Sequence, residues 1–265
     1  MRLNNHYLLE VDNISYSYGN KQVLFDVSMR LEQGEYLSII GPNGSGKTTL
    51  FKVLCGQRKS QTGQVCFEGE NIANISILQR AKSFSVLGQN EDTNFPFTCL
   101  DMVALGLHPF RSRFGSLSKE QIKTLLDIME AMDVLYLQNQ VVTQISGGEL
   151  QRVMLSRAIA QKPKILFLDE AMSELDIRAK IEIVKHLKEI CQKQTMSVIA
   201  INHDLPSAWR HSDTIVALKE GRVMEKGTPK TVMSKDFFAK SFGVEAEIIE
   251  EKGFIIHDSI KKDNI

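Results

Sequence analysis

The stretch Tyr36-Leu37-Ser38-Ile39-Ile40-Gly41-Pro42-Asn43-Gly44-Ser45-Gly46-Lys47-Thr48-Thr49-Leu50 decides the fold of this chain. Residues 36–40 read as a buried strand, a glycine-rich loop follows, and residues 48–54 have the pattern of a helix. Residues 41–48 satisfy the spacing G-x-x-x-x-G-K-[ST]. Glycines let the backbone curl until successive N–H groups face a phosphate chain, and the helix that begins at the lysine turns its positive end to the same anion. Lys47 supplies a mobile cation for the β- and γ-phosphates and the Thr48 hydroxyl suits Mg²⁺, with Gly41, Asn43, Gly44, Ser45, Gly46 and Thr49 completing the candidate cradle. The spacing is not that of a dinucleotide site, because Thr49 stands at the third place after Gly46. A nucleoside triphosphate is the expected ligand.

Upstream, residues 23–31 alternate apolar and polar side chains and read as a strand, closed by a Gln33-Gly34 turn. Downstream the period changes: Ile122, Leu125, Leu126, Met129 and Met132 recur at helical steps, and Ser118 with Gln121 forms a capping-box start. Residues 90–144 are therefore expected to form a helical lobe inserted into an α/β core. The core resumes with a helix over 148–161, a strand over 165–169, a helix over 177–192 and a strand over 196–202, an alternation that specifies parallel βαβ units. Residues 214–218 and 222–226 flank Lys219-Glu220-Gly221 as a hairpin. Beyond residue 236 a short helix precedes a strand-like stretch at 253–256. Trp209, with Ala208 and His211, reads as a helix packing element, and Glu182 with His186 as a solvated helical face.

The chain has 265 residues, 43% of them hydrophobic and 24% charged, which is enough for a sizeable core and too apolar for disorder. Lys and Arg together number 32, as do Asp and Glu, so the zero net charge gives no electrostatic reason to expect nucleic acid as the partner. A membrane helix needs ~20 consecutive apolar residues, and the most apolar runs, 165–168 and 198–201, are of strand length. The first six residues carry no apolar leader core. Cys55, Cys66, Cys99 and Cys191 lie far apart without a C-x-x-C pair, so a reducing compartment is expected, with each cysteine a small buried apolar residue.

Three further segments narrow the reading. Ile145-Ser146-Gly147-Gly148-Glu149-Leu150-Gln151 starts a helix whose N–H groups make a second anion-binding terminus. Ile165-Leu166-Phe167-Leu168-Asp169-Glu170 is an apolar strand ending in two carboxylates, and the strand at 196–202 ends in His203-Asp204. With these motifs in this order from residue 8 to 227, the chain resembles the nucleotide-binding subunit of ATP-binding cassette (ABC) transporters. The stretch 145–151 is similar to that family's signature motif, Ser173-Glu174-Leu175-Asp176 to its D-loop and Gln89 to its Q-loop glutamine; Tyr18, ahead of Tyr16 as the second candidate, stands where the family stacks an aromatic ring on adenine.

The resemblance implies a P-loop ATPase fold: a mixed α/β sheet with flanking helices, an N-terminal antiparallel β subdomain and an inserted α-helical lobe. It divides one ABC domain into a core (1–89 and 145–235), the lobe (90–144) and a C-terminal extension (236–265). It further implies that Asp169, with Thr48 and Gln89, holds Mg²⁺, that Glu170 activates the attacking water, and that His203 supports the γ-phosphate. Ser146, Gly148 and Asp176 would act on the ATP of a second copy, in a head-to-tail homodimer. Two positions depart from the family pattern: Ala171-Met172 replace Pro-Thr after Glu170, and Gly88 replaces Pro before Gln89.

The run Thr98-Cys99-Leu100-Asp101-Met102-Val103-Ala104-Leu105-Gly106-Leu107-His108-Pro109-Phe110 is similar to a stretch of importers for iron–siderophore, haem and cobalamin, and so is the tail from Gly243. That implies permease subunits in the membrane, an extracytoplasmic substrate-binding protein, and a location on the cytoplasmic face. Two alternatives stay open here: a soluble non-transport ABC ATPase such as an iron–sulfur assembly scaffold component, and a DNA repair or translation factor, which one P-loop and neutral charge oppose.

Overall fold

The computed structural model describes residues 7–88, 95–110, 116–172, 175–193, 195–249 and 253–257. Two long strands open the chain, β1 (Tyr7–Tyr18) and β2 (Lys21–Glu32), followed by β3 (Tyr36–Ile40) and helix α1 (Lys47–Leu54). Next come β4 (Thr62–Phe67), β5 (Glu70–Asn71), α2 (Ile77–Ser83) and β6 (Phe84–Leu87). The lobe contains α3 (Cys99–Ala104) and α4 (Lys119–Ala131), and α5 (Gly147–Ala160) leads back to β7 (Ile165–Asp169). Then follow α6 (Ile177–Gln192), β8 (Ser197–Ile201), α7 (Leu205–His211), β9 (Thr214–Lys219) and β10 (Arg222–Gly227). The described chain ends with α8 (Pro229–Val232), α9 (Lys235–Phe242), β11 (Glu245–Ile249) and β12 (Gly253–His257).

The strands sort into an antiparallel sheet, β2-β1-β4-β5, a six-stranded sheet, β10-β9-β3-β8-β7-β6, and a two-stranded antiparallel ladder, β11-β12. In the second, β9, β3, β8, β7 and β6 run parallel and only β10 is antiparallel. Every residue of β3, β7 and β8 is buried. That is the condition of central parallel strands covered on both faces, and it is why they read as near-continuous apolar runs rather than alternating ones. The strand ends point their carboxyl termini to one edge, where the loops after β3, β7 and β8 meet.

Between the two sheets α1 buries Leu50, Phe51, Val53 and Leu54. Phe51 and Phe84 both pack edge-on against Phe167 of β7, with ring centroids 5.7 and 5.3 Å away, and Phe67 joins Phe84 at 4.8 Å. Each fully buried Phe or Leu contributes about 1.5–3 kcal/mol, so this layer fixes α1 against the sheet and with it the loop at its start. No described helix is long and apolar enough to cross a membrane.

The lobe forms as its period requires. Leu125, Met129 and Met132 are buried, whereas Ile122, one turn nearer the start of α4, is at the surface. Ser118 caps α4: its Oγ accepts from Gln121 N at 3.1 Å, and its own N–H donates to Gln121 Oε1 at 2.9 Å. Ser118→Ala is expected to lower stability by about 1 kcal/mol, read as a shift of the urea midpoint at constant slope; no shift would mean that the cap is not formed in solution. Helix α5 begins at Gly147, one residue before the sequence pattern suggested, because Ser146 rather than Gly147 is its cap.

At the far end, Trp209 and Ala208 of α7 pack with Phe237 and Phe238 of α9, and Phe254 of β12 stacks near Trp209 at 6.0 Å. Cysteines 55, 99 and 191 are buried, but Cys66 is not. Its neighbours Val65 and Phe67 face the core, and strand alternation turns Cys66 to the opposite, half-covered side. Glu182 faces solvent and pairs with Arg178 at 2.9 Å.

Candidate nucleotide site

The loop between β3 and α1 closes tightly. Gly41 has φ of 149°, and a Cβ there would stand 2.1 Å from the carbonyl oxygen of Leu218 on β9. Only glycine fits that approach, so the loop's curl depends on the sheet edge beneath it. Lys47, the first residue of α1, is buried, and its Nζ donates to Gly41 O at 2.9 Å and Pro42 O at 3.0 Å. Burial holds its pKa below the usual lysine range, while the fields of Glu170 and Asp169 push it back up. A buried ammonium whose hydrogen-bond partners are neutral carbonyls is suited to a polyanion. The Ser45 hydroxyl oxygen beside it is also buried, with no hydrogen-bond partner among the described residues. Such an orphaned polar atom, the buried cation and the N-terminus of α1 together fit the phosphates of a nucleotide.

A cavity of about 250 Å³ opens over this loop. Asn43, Gly44, Gly46, Lys47, Thr48 and Thr49 line one side, and Glu170 and His203 line the other. Val23 of β2 completes the described lining. Its alternating strand pattern was legible, but nothing local to the sequence signalled that this position would reach the site.

Glu170 leaves β7 with a φ of +52°, a left-handed conformation that costs a non-glycine residue on the order of 1–2 kcal/mol. The turn swings its carboxylate out of the strand line, and Oε1 lies 2.7 Å from His203 Nε2. Asp169, the last residue of β7, stays buried. Burial raises its pKa, and the like charge of Glu170 adds to the rise, opposed by Lys52, His203 and Lys47. The two adjacent carboxylates thus have different surroundings: one is half-open beside an imidazole, the other sits beneath the loop.

The sequence-derived candidates therefore divide. Asn43, Gly44, Gly46, Lys47, Thr48, Thr49, Glu170 and His203 share one cavity, whereas Gly41, Ser45 and Asp169 are buried and outside its described lining. Tyr18 lies at the end of β1, exposed and edge-on to Tyr16 at 5.0 Å, outside the described lining of the cavity. Gln89 and the D-loop positions Ser173 and Glu174 lie outside the described residues. Asp176 caps α6, accepting from Ala179 N at 2.8 Å.

Ser146 caps α5 in a full capping box. Its N–H and hydroxyl both reach Glu149 Oε2, at 2.8 and 2.7 Å, and Tyr136 donates to Glu149 Oε1 at 2.8 Å. These hydrogen bonds hold the Glu149 carboxyl below its usual range, the Ser146 hydroxyl foremost. The helix end presents Ser146 to solvent, and neither Ser146, Gly148 nor Asp176 is among the described residues lining the cavity over Lys47.

The sequence profile of the ABC transporter family matches residues 24–173. The chain is similar to the petrobactin import ATP-binding protein YclP of Bacillus subtilis, 33% identical over 226 residues, which are 85% of this chain and 89% of that one. It is also similar to the hemin import ATP-binding protein HmuV of Shewanella denitrificans, 32% identical over 248 residues, covering 91% and 96%. Among solved structures, cbiO1 from Clostridium perfringens, part of the ABC transporter complex cbiONQ, superposes with a TM-score of 0.77 at 26% identity, covering 89% of this chain and 94% of that one.

Proposed function

Because this chain belongs to the ABC transporter family and is an ATP hydrolase, we propose that it powers the uptake of a metal chelate of the iron–siderophore, haem or cobalamin kind. It would dock on membrane permease subunits from the cytoplasmic face, with an extracytoplasmic substrate-binding protein delivering the cargo. The observation that carries the cargo class is the likeness over most of the chain to proteins named for petrobactin and hemin import.

Within the site, the Lys47 ammonium would leave its carbonyl partners for the β- and γ-phosphate oxygens, and the N–H groups of residues 43–48 would hold the chain in line. Thr48, Asp169 and Gln89 would hold Mg²⁺, which when bound neutralises charge on those oxygens. Glu170 would accept the proton of the attacking water, placed for it by the left-handed turn after β7. His203, already 2.7 Å from Glu170, would orient that carboxylate and donate to the γ-phosphate. The exposed ring of Tyr18 would stack on adenine. Ser146, Gly148 and Asp176 would complete the site of a second copy, which accords with their absence from the described lining of the cavity in their own chain. Two ATP molecules would then bind a head-to-tail dimer, and loss of the γ-phosphate would release it.

The test is affinity purification of the tagged chain from membranes. A polytopic permease is expected to co-purify and to raise ATP turnover in vesicles by tenfold or more, equivalent to ~1.4 kcal/mol of barrier. Soluble iron–sulfur assembly factors in its place would overturn the importer reading.

A further inference from the structure

A second cavity, of about 370 Å³, lies at the opposite end of α1 from the phosphate loop. Arg58, Lys59 and Arg80 converge on it, Asn71 adds an amide, Val53 and Ile72 contribute apolar surface, and no carboxylate is among its described lining residues. In a chain of zero net charge, three cations around one concave site is a local departure. None of the three makes an ion pair with a described carboxylate.

Part of this charge has a structural use. Arg80 Nη1 donates to Gly56 O at 2.8 Å, just beyond the C-terminus of α1, where a helix carries roughly half a negative charge. Gly56, at φ +74°, is shaped for it: a Cβ there would lie 2.1 Å from Arg80 Nη1. One guanidinium is enough for half a charge, and Arg58 and Lys59 bring two more. We propose that this cavity is an anion site that takes a phosphate-bearing ligand, with the fixed guanidinium of Arg80 as its floor and Arg58 and Lys59 as its mobile arms. The cavity offers room for several water-sized groups, each ~30 Å³, so a diphosphate fits better than a single small ion.

Calorimetry with inorganic pyrophosphate in magnesium-free buffer tests this. The wild-type chain is expected to show two sites. Lys47→Ala should lose the site at the phosphate loop and keep the other. The double variant Arg58→Gln/Lys59→Gln, and separately Arg80→Gln, should keep the first and weaken the second by at least about tenfold. Arg58 and Lys59 make no side-chain hydrogen bond or ion pair to a described residue, so circular dichroism of the double variant should report an intact fold, whereas Arg80→Gln also loses the bond to Gly56 O and is read only if its spectrum and melting curve match the wild type. Vesicles containing phosphatidylglycerol identify the source: sedimentation with them that the double variant loses and pyrophosphate displaces assigns a lipid headgroup, and no sedimentation assigns a soluble phosphate. A Lys47→Ala chain with no remaining site, or unchanged pyrophosphate affinity in both Arg and Lys variants, would overturn the proposal. Loss of neither site in Lys47→Ala would instead count against the nucleotide assignment and leave the second site standing.

Discussion

Glu170→Gln should lower ATP hydrolysis by roughly 10²- to 10⁴-fold, the range that a positioned general base contributes. The amide matches the carboxylate in shape and can keep a hydrogen bond to His203, but it cannot accept the water's proton. The phosphate loop is untouched by the change, so ATP affinity should stay within about twofold. Binding without cleavage then traps the closed state, and size-exclusion chromatography should show a dimer with ATP and a monomer without it. Full turnover, or a monomer at saturating ATP, would remove Glu170 from the proposed role. The left-handed backbone at Glu170 supports its assignment independently of the side chain: a non-glycine residue held at φ +52° at the lip of a cavity is the kind of local cost that recurs at functional positions.

Lys47→Ala should weaken ATP binding by about 10- to 200-fold, from the ~1.5–3 kcal/mol typical of a hydrogen bond to a charged group. Removing the ammonium leaves Gly41 O, buried, and Pro42 O, part-buried, without their donor, but Lys47 lines a cavity of about 250 Å³ from which water can enter the vacated space and replace it. Stability should therefore change much less than affinity, and calorimetry with ATP alongside a melting curve separates the two. An unchanged dissociation constant would refute the phosphate-loop reading. A large fall in melting temperature with unchanged affinity would make Lys47 a structural residue.

Much of this site could be read from residue order because strand ends are marked locally. Residues 165–168 and 198–201 are apolar throughout and 36–40 is broken only by Ser38, and each run is followed by its carboxylate pair, histidine or glycine-rich loop. Burial on both faces writes itself into sequence as a near-continuous run, and a loop at a strand's carboxyl end is where an open α/β sheet binds ligands. What those runs do not encode is which strand neighbours which. The order β10-β9-β3-β8-β7-β6 places β3 between β9 and β8, strands that follow it by more than 150 residues, and only long-range packing settles that. The short distance between Glu170 and His203 follows from that order, because β7 and β8 are adjacent.

Other features were illegible for different reasons. The left-handed turn at Glu170 has no glycine or asparagine to announce it. Val23 reaches the cavity by way of the separate antiparallel sheet, which helical and strand periodicity cannot relate to the phosphate loop. Cys66 was misread because a composition argument treats cysteines alike, whereas strand alternation assigns each to a face. At Ser146, capping and phosphate contact demand the same residue type at the same helix position, so the sequence pattern could not separate them.

The sharing of each nucleotide between two copies can be measured by mixing a large excess of a Lys47→Ala chain, whose ATP affinity is weakened, with a little epitope-tagged Glu170→Gln chain, so that nearly every Glu170→Gln copy pairs with a Lys47→Ala one, at a nucleotide concentration that fills only the intact phosphate loop. An ATP analogue carrying a photoreactive group on its γ-phosphate is added, the mixture is irradiated, and labelled peptides are assigned to each chain by mass. The label is expected on residues 146–148 of the Lys47→Ala chain. Label on residues 146–148 of the Glu170→Gln chain alone would contradict the account, because each chain would then close its own site.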